Sequence, residues 1–101
     1  MISIYRAMSN EEADETLARQ SPHFFRESRF KWFGTEEYVF QTVMDGRFNG
    51  SRKDPSKYGR VLRFEVLSGE EWMWRKRDEF RLDIRHIGRV GFGRIDDETP
   101  L

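Results

Sequence analysis

Apolar and polar positions divide the chain into short stretches of two periods. "ISIY", residues 2–5, gathers β-branched and aromatic side chains and predicts a first strand that ends at Arg6. Just after it, Ser9 and Glu12 stand in the S-x-x-E spacing of a capping box, where each side chain can satisfy a backbone N–H at the other end. A helix is expected from there to Gln20. Glu11, Glu12, Asp14 and Glu15 suit its positive end, Arg19 suits its negative end, and Pro22 stands beyond its stop. Ala13 and Leu17 give it a thin apolar stripe. "FKWF", residues 30–33, predicts a second strand. Thr35 can then cap a second helix, in which Val39, Phe40, Val43 and Met44 share one face and Gly46 suits the end.

Residues 47–59 are turn-rich and basic and predict a long exposed loop. "RVLRFEVL", residues 60–67, alternates: Leu62, Phe64 and Val66 point one way, Arg63 and Glu65 the other. Ser68 and Glu71 repeat the S-x-x-E spacing and predict a short helix through "EEWMWRKR", residues 70–77. "FRLDIRHI", residues 80–87, alternates again, and "GRVGFGRI", residues 88–95, reads as a glycine-bent strand. Residues 95–101 are expected to fray. The order β-α-β-α-β-(α)-β-β predicts one α+β domain over residues 1–101. Its mixed sheet would be mostly antiparallel, with two or three short helices.

Composition changes this picture little. An aromatic share of 15% lets a 101-residue chain build a core from few side chains, since each ring buries about 150–250 Å². The absence of cysteine excludes a disulfide scaffold, and with two histidines no metal site is expected. No apolar run nears the roughly 20 residues that span a bilayer, and the N-terminal residues lack a signal-peptide pattern, so a cytoplasmic protein without membrane contact is expected. Net charge is zero but uneven: residues 1–45 hold 5 basic and 8 acidic side chains, residues 46–95 hold 13 and 7. The basic part could meet phosphates, although charge runs are commonly just solvated.

Few residues suggest chemistry by themselves. "GRVGFGRI" departs from G-x-G-x-x-G and precedes no helix, so it marks a bend rather than a phosphate loop. His86 could be a general acid or base, or a half-buried histidine at a strand end. Trp32, Phe33, Trp72 and Trp74 could stack on a base or fill the core. Arg6 could lay its stem on apolar surface and reach for water or a carboxylate.

Two blocks read together go further. Tyr5-Arg6-Ala7-Met8-Ser9 with Glu12-Ala13, and Lys31-Trp32-Phe33-Gly34-Thr35 with Glu37-Tyr38, resemble ADP-ribosyltransferase-like domains of bacterial polymorphic toxins, in particular the TreTu type. "GRVLRFEVL" is similar to the strand that follows in that family, so the resemblance covers roughly residues 4–67. It implies an ADP-ribosyltransferase-like fold and NAD as substrate. Arg6 would hold NAD through phosphate and ribose, Phe33 and Thr35 would shape the nicotinamide pocket, and Tyr38 would add a ring to its wall. A glutamate would stabilise the oxocarbenium-like state as nicotinamide leaves. No E-x-E stands at the expected place; Glu79 is the first choice, with Glu65 and Glu98 as alternatives. The implied setting is a bacterial toxin or phage effector that modifies a protein or nucleic-acid target, with an immunity protein as a further partner. Two other readings stay open. One is an RNA-binding or ribonuclease-like module using Arg47, Arg52, Lys53 and Lys57 with Arg81, Arg85 and His86. The other is an interaction protein without chemistry.

Overall fold

The computed structural model of the chain describes residues 1–22, 29–44 and 59–99. It is an α+β domain around a six-stranded sheet. In chain order the elements are β1 (Ile2–Met8), α1 (Asn10–Arg19), β2 (Phe30–Gly34), α2 (Glu36–Met44), β3 (Arg60–Ser68), β4 (Met73–Lys76), β5 (Glu79–Asp83) and β6 (Gly91–Asp97). Short 3-10 turns cover Glu70–Trp72 and Ile84–Arg89. The strands lie in the order β4-β5-β2-β1-β3-β6, and every neighbouring pair is antiparallel.

One helix covers each face. Ala13 and Leu17 of α1 pack on Ile4, Met8, Phe33, Leu62, Phe64 and Val66. Val39, Tyr38 and Phe40 of α2 pack on Tyr5, Ala7 and Val61. β1 is therefore buried from both sides, which removes the alternation that marks a half-buried strand. β1 runs on to Met8 instead of ending at Arg6 as expected, because its ladder to β3 continues through Ala7–Val61 and Met8–Arg60. Arg6 is an interior strand residue, opposite Leu62 of β3.

The two halves of the sheet join loosely. β1 lies against β3 over seven register pairs from Ile2–Val66 to Met8–Arg60, whereas β1 meets β2 at Tyr5–Gly34 alone. The ladders β1-β3-β6 and β2-β5-β4 thus share one rung, and a seam opens beside it.

Half of the expected capping box forms: Ser9 Oγ accepts the Glu12 N–H at 3.2 Å, while the Glu12 carboxylate turns to Arg6. The helix stops at Gln20, which adopts the left-handed region with φ of 53°. Its side chain then acts like a piece of strand. Nε2 donates to the Ile95 carbonyl at 3.0 Å, and Oε1 accepts the Ile95 N–H at 3.0 Å. This closes the open edge of β6, a place where unpaired backbone groups would otherwise face solvent.

Besides the end of β1, four expectations change. The glycine-bent strand expected over residues 88–95 starts only at Gly91, because the 3-10 turn runs to Arg89. "EEWMWRKR" is no helix: a single 3-10 turn leads into β4, where Met73 is buried and Trp74, Arg75 and Lys76 are exposed. The strand expected over residues 80–87 stops at Asp83, whose side chain accepts the Arg85 N–H at 2.9 Å and turns the chain. Residues 95–97 do not fray. They belong to β6, with Ile95 in the core, and the Glu98 N–H donates to the Val61 carbonyl at 2.9 Å. The expected loop over residues 47–59 and the cap at Gly46 lie almost wholly outside the described residues.

Charge explains why the acidic end is held. Arg60 pairs with Asp97 and with Asp14, and Arg63 pairs with Asp96 and Glu98. The basic middle of the chain neutralises its acidic end across the β3–β6 ladder. The Arg63 hydrogen bond holds the Asp96 carboxyl below its ordinary value of 3.8. Burial pushes Asp97 up, but bonds from Thr99 and Arg60 outweigh it and leave it lowered too. A carboxyl lowered in the fold binds fewer protons folded than unfolded in the window between its two pKa values. The stability it contributes is present above the ordinary value and is lost as pH falls through the depressed one. Urea midpoints should therefore hold steady from neutral pH to about 5 and fall below about 4, the ordinary aspartate range. Asp96→Asn should flatten that fall; an unchanged pH profile in the variant would count against the assignment.

Candidate functional site

The residues singled out in the sequence gather around the single rung between β1 and β2. They form two clusters on opposite faces. Continuing the register by one residue sets Arg6 opposite Phe33, and the Arg6 guanidinium carbon lies 5.8 Å from the Phe33 ring centre. Both are on the α1 face. Across the sheet, the rung Tyr5–Gly34–Glu79 spans β1, β2 and β5 and turns its side chains toward α2.

Arg6 works at the seam. Its Nη1 donates to the Trp32 carbonyl at 3.0 Å, a β2 acceptor that the parted β1 ladder does not reach. Its Nη2 lies 3.6 Å from the Glu12 carboxylate; the two side chains are 18% and 10% exposed. Glu12 reads in the sequence as a helix-cap residue only. In the fold it is also the carboxylate nearest Arg6. The signal was there in the chain, as an arginine three residues before the capping serine and a glutamate three after it. Phe33 is 3% exposed and meets Phe64 edge-on at 5.2 Å. It is a core residue and offers no open ring face.

The second cluster is built on the start of α2. The Thr35 hydroxyl accepts the Tyr38 N–H at 3.4 Å, as the expected cap. That sets the first turn of α2 directly over Gly34. The Tyr38 hydroxyl donates to Glu79 Oε1 at 2.6 Å, joining residues 41 apart in the chain. Gly34 makes this contact feasible: a Cβ there would lie 2.9 Å from Tyr38 Cδ1 and 2.9 Å from Val39 Cγ2. Gly34→Ala should thus push the Tyr38 ring off β2. The expected result is a thermal midpoint lower by several degrees and loss of the Tyr38–Glu79 bond in a crystal structure; an unmoved ring would contradict the packing argument.

Tyr5 completes this side. Its hydroxyl donates to Glu36 Oε2 at 3.3 Å, and burial, then the Glu36 charge, raise its pKa above 10.0. An open depression of about 620 Å³ shares Thr35 and is lined by Glu36, Glu37, Phe40 and Asp78. Three carboxylates make it hospitable to a cationic ring and hostile to a pyrophosphate.

No family model, no curated protein and no solved structure matches the chain. The site is therefore read from its own geometry.

Of the remaining candidates, Glu65 stands opposite Ser3 on β3, and Glu98 pairs with Arg63, from where its charge reaches the Tyr5 hydroxyl. His86 lies in the second 3-10 turn, with its ring 5.0 Å from Trp72, not on a strand. Arg81 lies on β5 and Arg85 is tied to Asp83 at 2.9 Å. Arg47, Arg52, Lys53 and Lys57 lie outside the described residues. Among the described residues, no group of three or more His, Asp or Glu could hold a metal ion, and no helix is long and apolar enough to cross a membrane.

Proposed function

We propose that the chain is a small NAD-consuming ADP-ribosyltransferase-like effector whose reaction centre is Glu79, held by Tyr38 beside Thr35. The observation that carries this reading is the 2.6 Å bond from the Tyr38 hydroxyl to Glu79, set over Gly34 and next to the Thr35 cap. A ring, a hydroxyl and an oriented carboxylate on one surface suit the nicotinamide end of NAD. When the bond from the ribose C1′ to the nicotinamide nitrogen breaks, positive charge develops on the ribose. A fixed carboxylate stabilises that charge more than it stabilises the ground state, which is what lowers the barrier. The acid-lined depression favours binding of the cationic nicotinamide ring on the same side, an attraction that serves affinity and not rate because the ring leaves neutral.

Arg6 lies on the α1 face, the opposite face of the sheet from this cluster, so the two do not line one cleft. Its guanidinium suits a phosphate in chemical type. It is held on its own face by the Trp32 carbonyl and Glu12, so NAD bound at Glu79 is served by the α2-face residues and not by Arg6. Phe33 drops out of the pocket and serves the core. A bacterial protein or nucleic acid is the acceptor in this reading.

Incubation of the purified chain with NAD, with and without bacterial lysate, tests it through free nicotinamide. Release that depends on Glu79 supports the reading. No release in either condition counts against it.

A further inference from the structure

A second surface lies on the α2 face, beyond the helix. Trp32 on β2 stands opposite Arg81 on β5, and Arg81 stands opposite Trp74 on β4, so the three side chains form one rung. The Arg81 guanidinium carbon is 4.4 Å from the Trp74 ring, 5.1 Å from the Trp32 ring and 4.9 Å from the Phe30 ring. Both indoles are open to solvent, Trp32 at 46% and Trp74 at 44%.

Among the described residues the arginine is held by rings alone. The carboxylates on its own strand are engaged elsewhere: Glu79 by Tyr38, and Asp83 by Arg29 and Arg85. Aromatic rings engage a guanidinium through its charge and leave its N–H donors for an oxygen acceptor. Here those donors have no protein acceptor among the described residues. On the Asp83 side of the rung the charge is also positive, because Arg29 and Arg85 share the one carboxylate of Asp83, whereas Glu79 stands on the other side. On the adjacent 3-10 turns, Trp72 carries Arg89 at 4.4 Å.

What fits is an anion flanked by flat aromatic groups. A sugar would use the indoles and leave the cation unanswered. An acidic peptide would use the cation and leave the indoles bare. A methylated ammonium finds the space between the rings already taken by Arg81. A single strand of nucleic acid uses both features, since its phosphates alternate with bases whose π-faces stack on aromatic side chains. From this rung we infer that the Trp32–Arg81–Trp74 surface binds single-stranded nucleic acid, with Arg81 on a phosphate and bases on the two indoles. Glu79 is two residues from Arg81 on the same strand and face, about 6.7 Å along it. A bound strand therefore lies beside the candidate carboxylate. The binding itself does not depend on NAD turnover.

The test is fluorescence anisotropy of labelled 12-nucleotide oligo-dT and oligo-U titrated with the full chain. Wild type should bind saturably, more weakly as salt rises because phosphate contacts release counterions. The oligonucleotide should also quench the protein's indole emission. Trp74→Leu and Arg81→Gln should each weaken binding about tenfold or more, in line with the loss of one stacked base. A duplex of the same length should compete poorly. The inference is overturned if wild type does not bind at low salt, if the folded variants bind like wild type, or if a base-free polyanion such as heparin displaces the strand with no cost from Trp74→Leu. Should Trp74→Leu fail to fold, the wild-type quenching decides, and its absence overturns the stacking. A chain that binds the strand but releases no nicotinamide keeps this surface and loses the transferase reading.

Discussion

Glu79→Gln should lower nicotinamide release from NAD by about 10²–10³-fold, the loss typical when one preorganised electrostatic group leaves an active site. The fold should survive. Glu79 is only half-buried at the start of β5, and a glutamine keeps the acceptor oxygen that Tyr38 uses. What disappears is the negative charge, and with it the attraction for a cationic ribose. Tyr38→Phe is the companion change. It keeps the ring over Gly34 but frees the carboxylate to turn, so a loss of about tenfold is expected from misorientation alone. Arg6→Lys probes the opposite face: it keeps a positive charge and loses the planar fork, and with Arg6 outside the Glu79 cleft it should leave KM for NAD near wild type. Alanine at position 6 would be a poor probe, since it also strips the Trp32 carbonyl and Glu12 of their partner. A thermal midpoint for Glu79→Gln within a few degrees of wild type is part of the expectation; inactivity together with unfolding would say nothing about charge.

Phe64→Ala should be the most damaging change in the core. Phe64 is 1% exposed and sits between Ile4 of β1 and Ile95 of β6 on one rung. Its ring meets Phe33 at 5.2 Å and Phe92 at 6.1 Å, both edge-on. It is therefore, with Arg6, a contact between the two ladders on the α1 face, where the backbone joins them at one rung only. Truncating a buried phenylalanine costs about 3–5 kcal/mol, from lost transfer energy and the cavity left behind. A small domain has about 5–15 kcal/mol in all. At about 4–8 °C per kcal/mol for a domain of this size, the thermal midpoint should fall by at least 12 °C. A calorimetric shift under about 5 °C would mean that the ladders are joined by something else.

Sequence patterns reach unevenly into this fold. The α1 cap, the α2 cap and the alternation of β3 are local, and local spacing foretells them. β4 is not, because an edge strand with one buried side chain and three exposed polar or aromatic ones shows no clear period. The strand expected to run through Ile87 stops early because a single side-chain acceptor, Asp83, outcompetes the ladder. Arg6 misleads for the opposite reason: a strand covered on both faces loses its alternation, so its end cannot be read. The α+β class, the antiparallel sheet and the two helices follow from the pattern. The seam does not, since it depends on how few rungs β1 and β2 share.

The site divides the same way. Thr35 and Tyr38 are close in the chain, and their partnership is legible. Glu79 meets Tyr38 only because β5 pairs with β2, and Trp32, Arg81 and Trp74 form a rung only because β4 joins that edge. Spacing alone carries neither. Glu12 could have been noticed beside Arg6, because a strand that turns straight into a capped helix brings its third helical residue back toward the strand.

The most direct measurement is a time course of nicotinamide release from NAD, run side by side for wild type, Glu79→Gln and Arg6→Lys in the presence of bacterial lysate. The account predicts release by wild type, near-background rates for Glu79→Gln, and a rate for Arg6→Lys close to wild type. Release by Glu79→Gln equal to wild type, or no release by a folded wild-type chain, would contradict it.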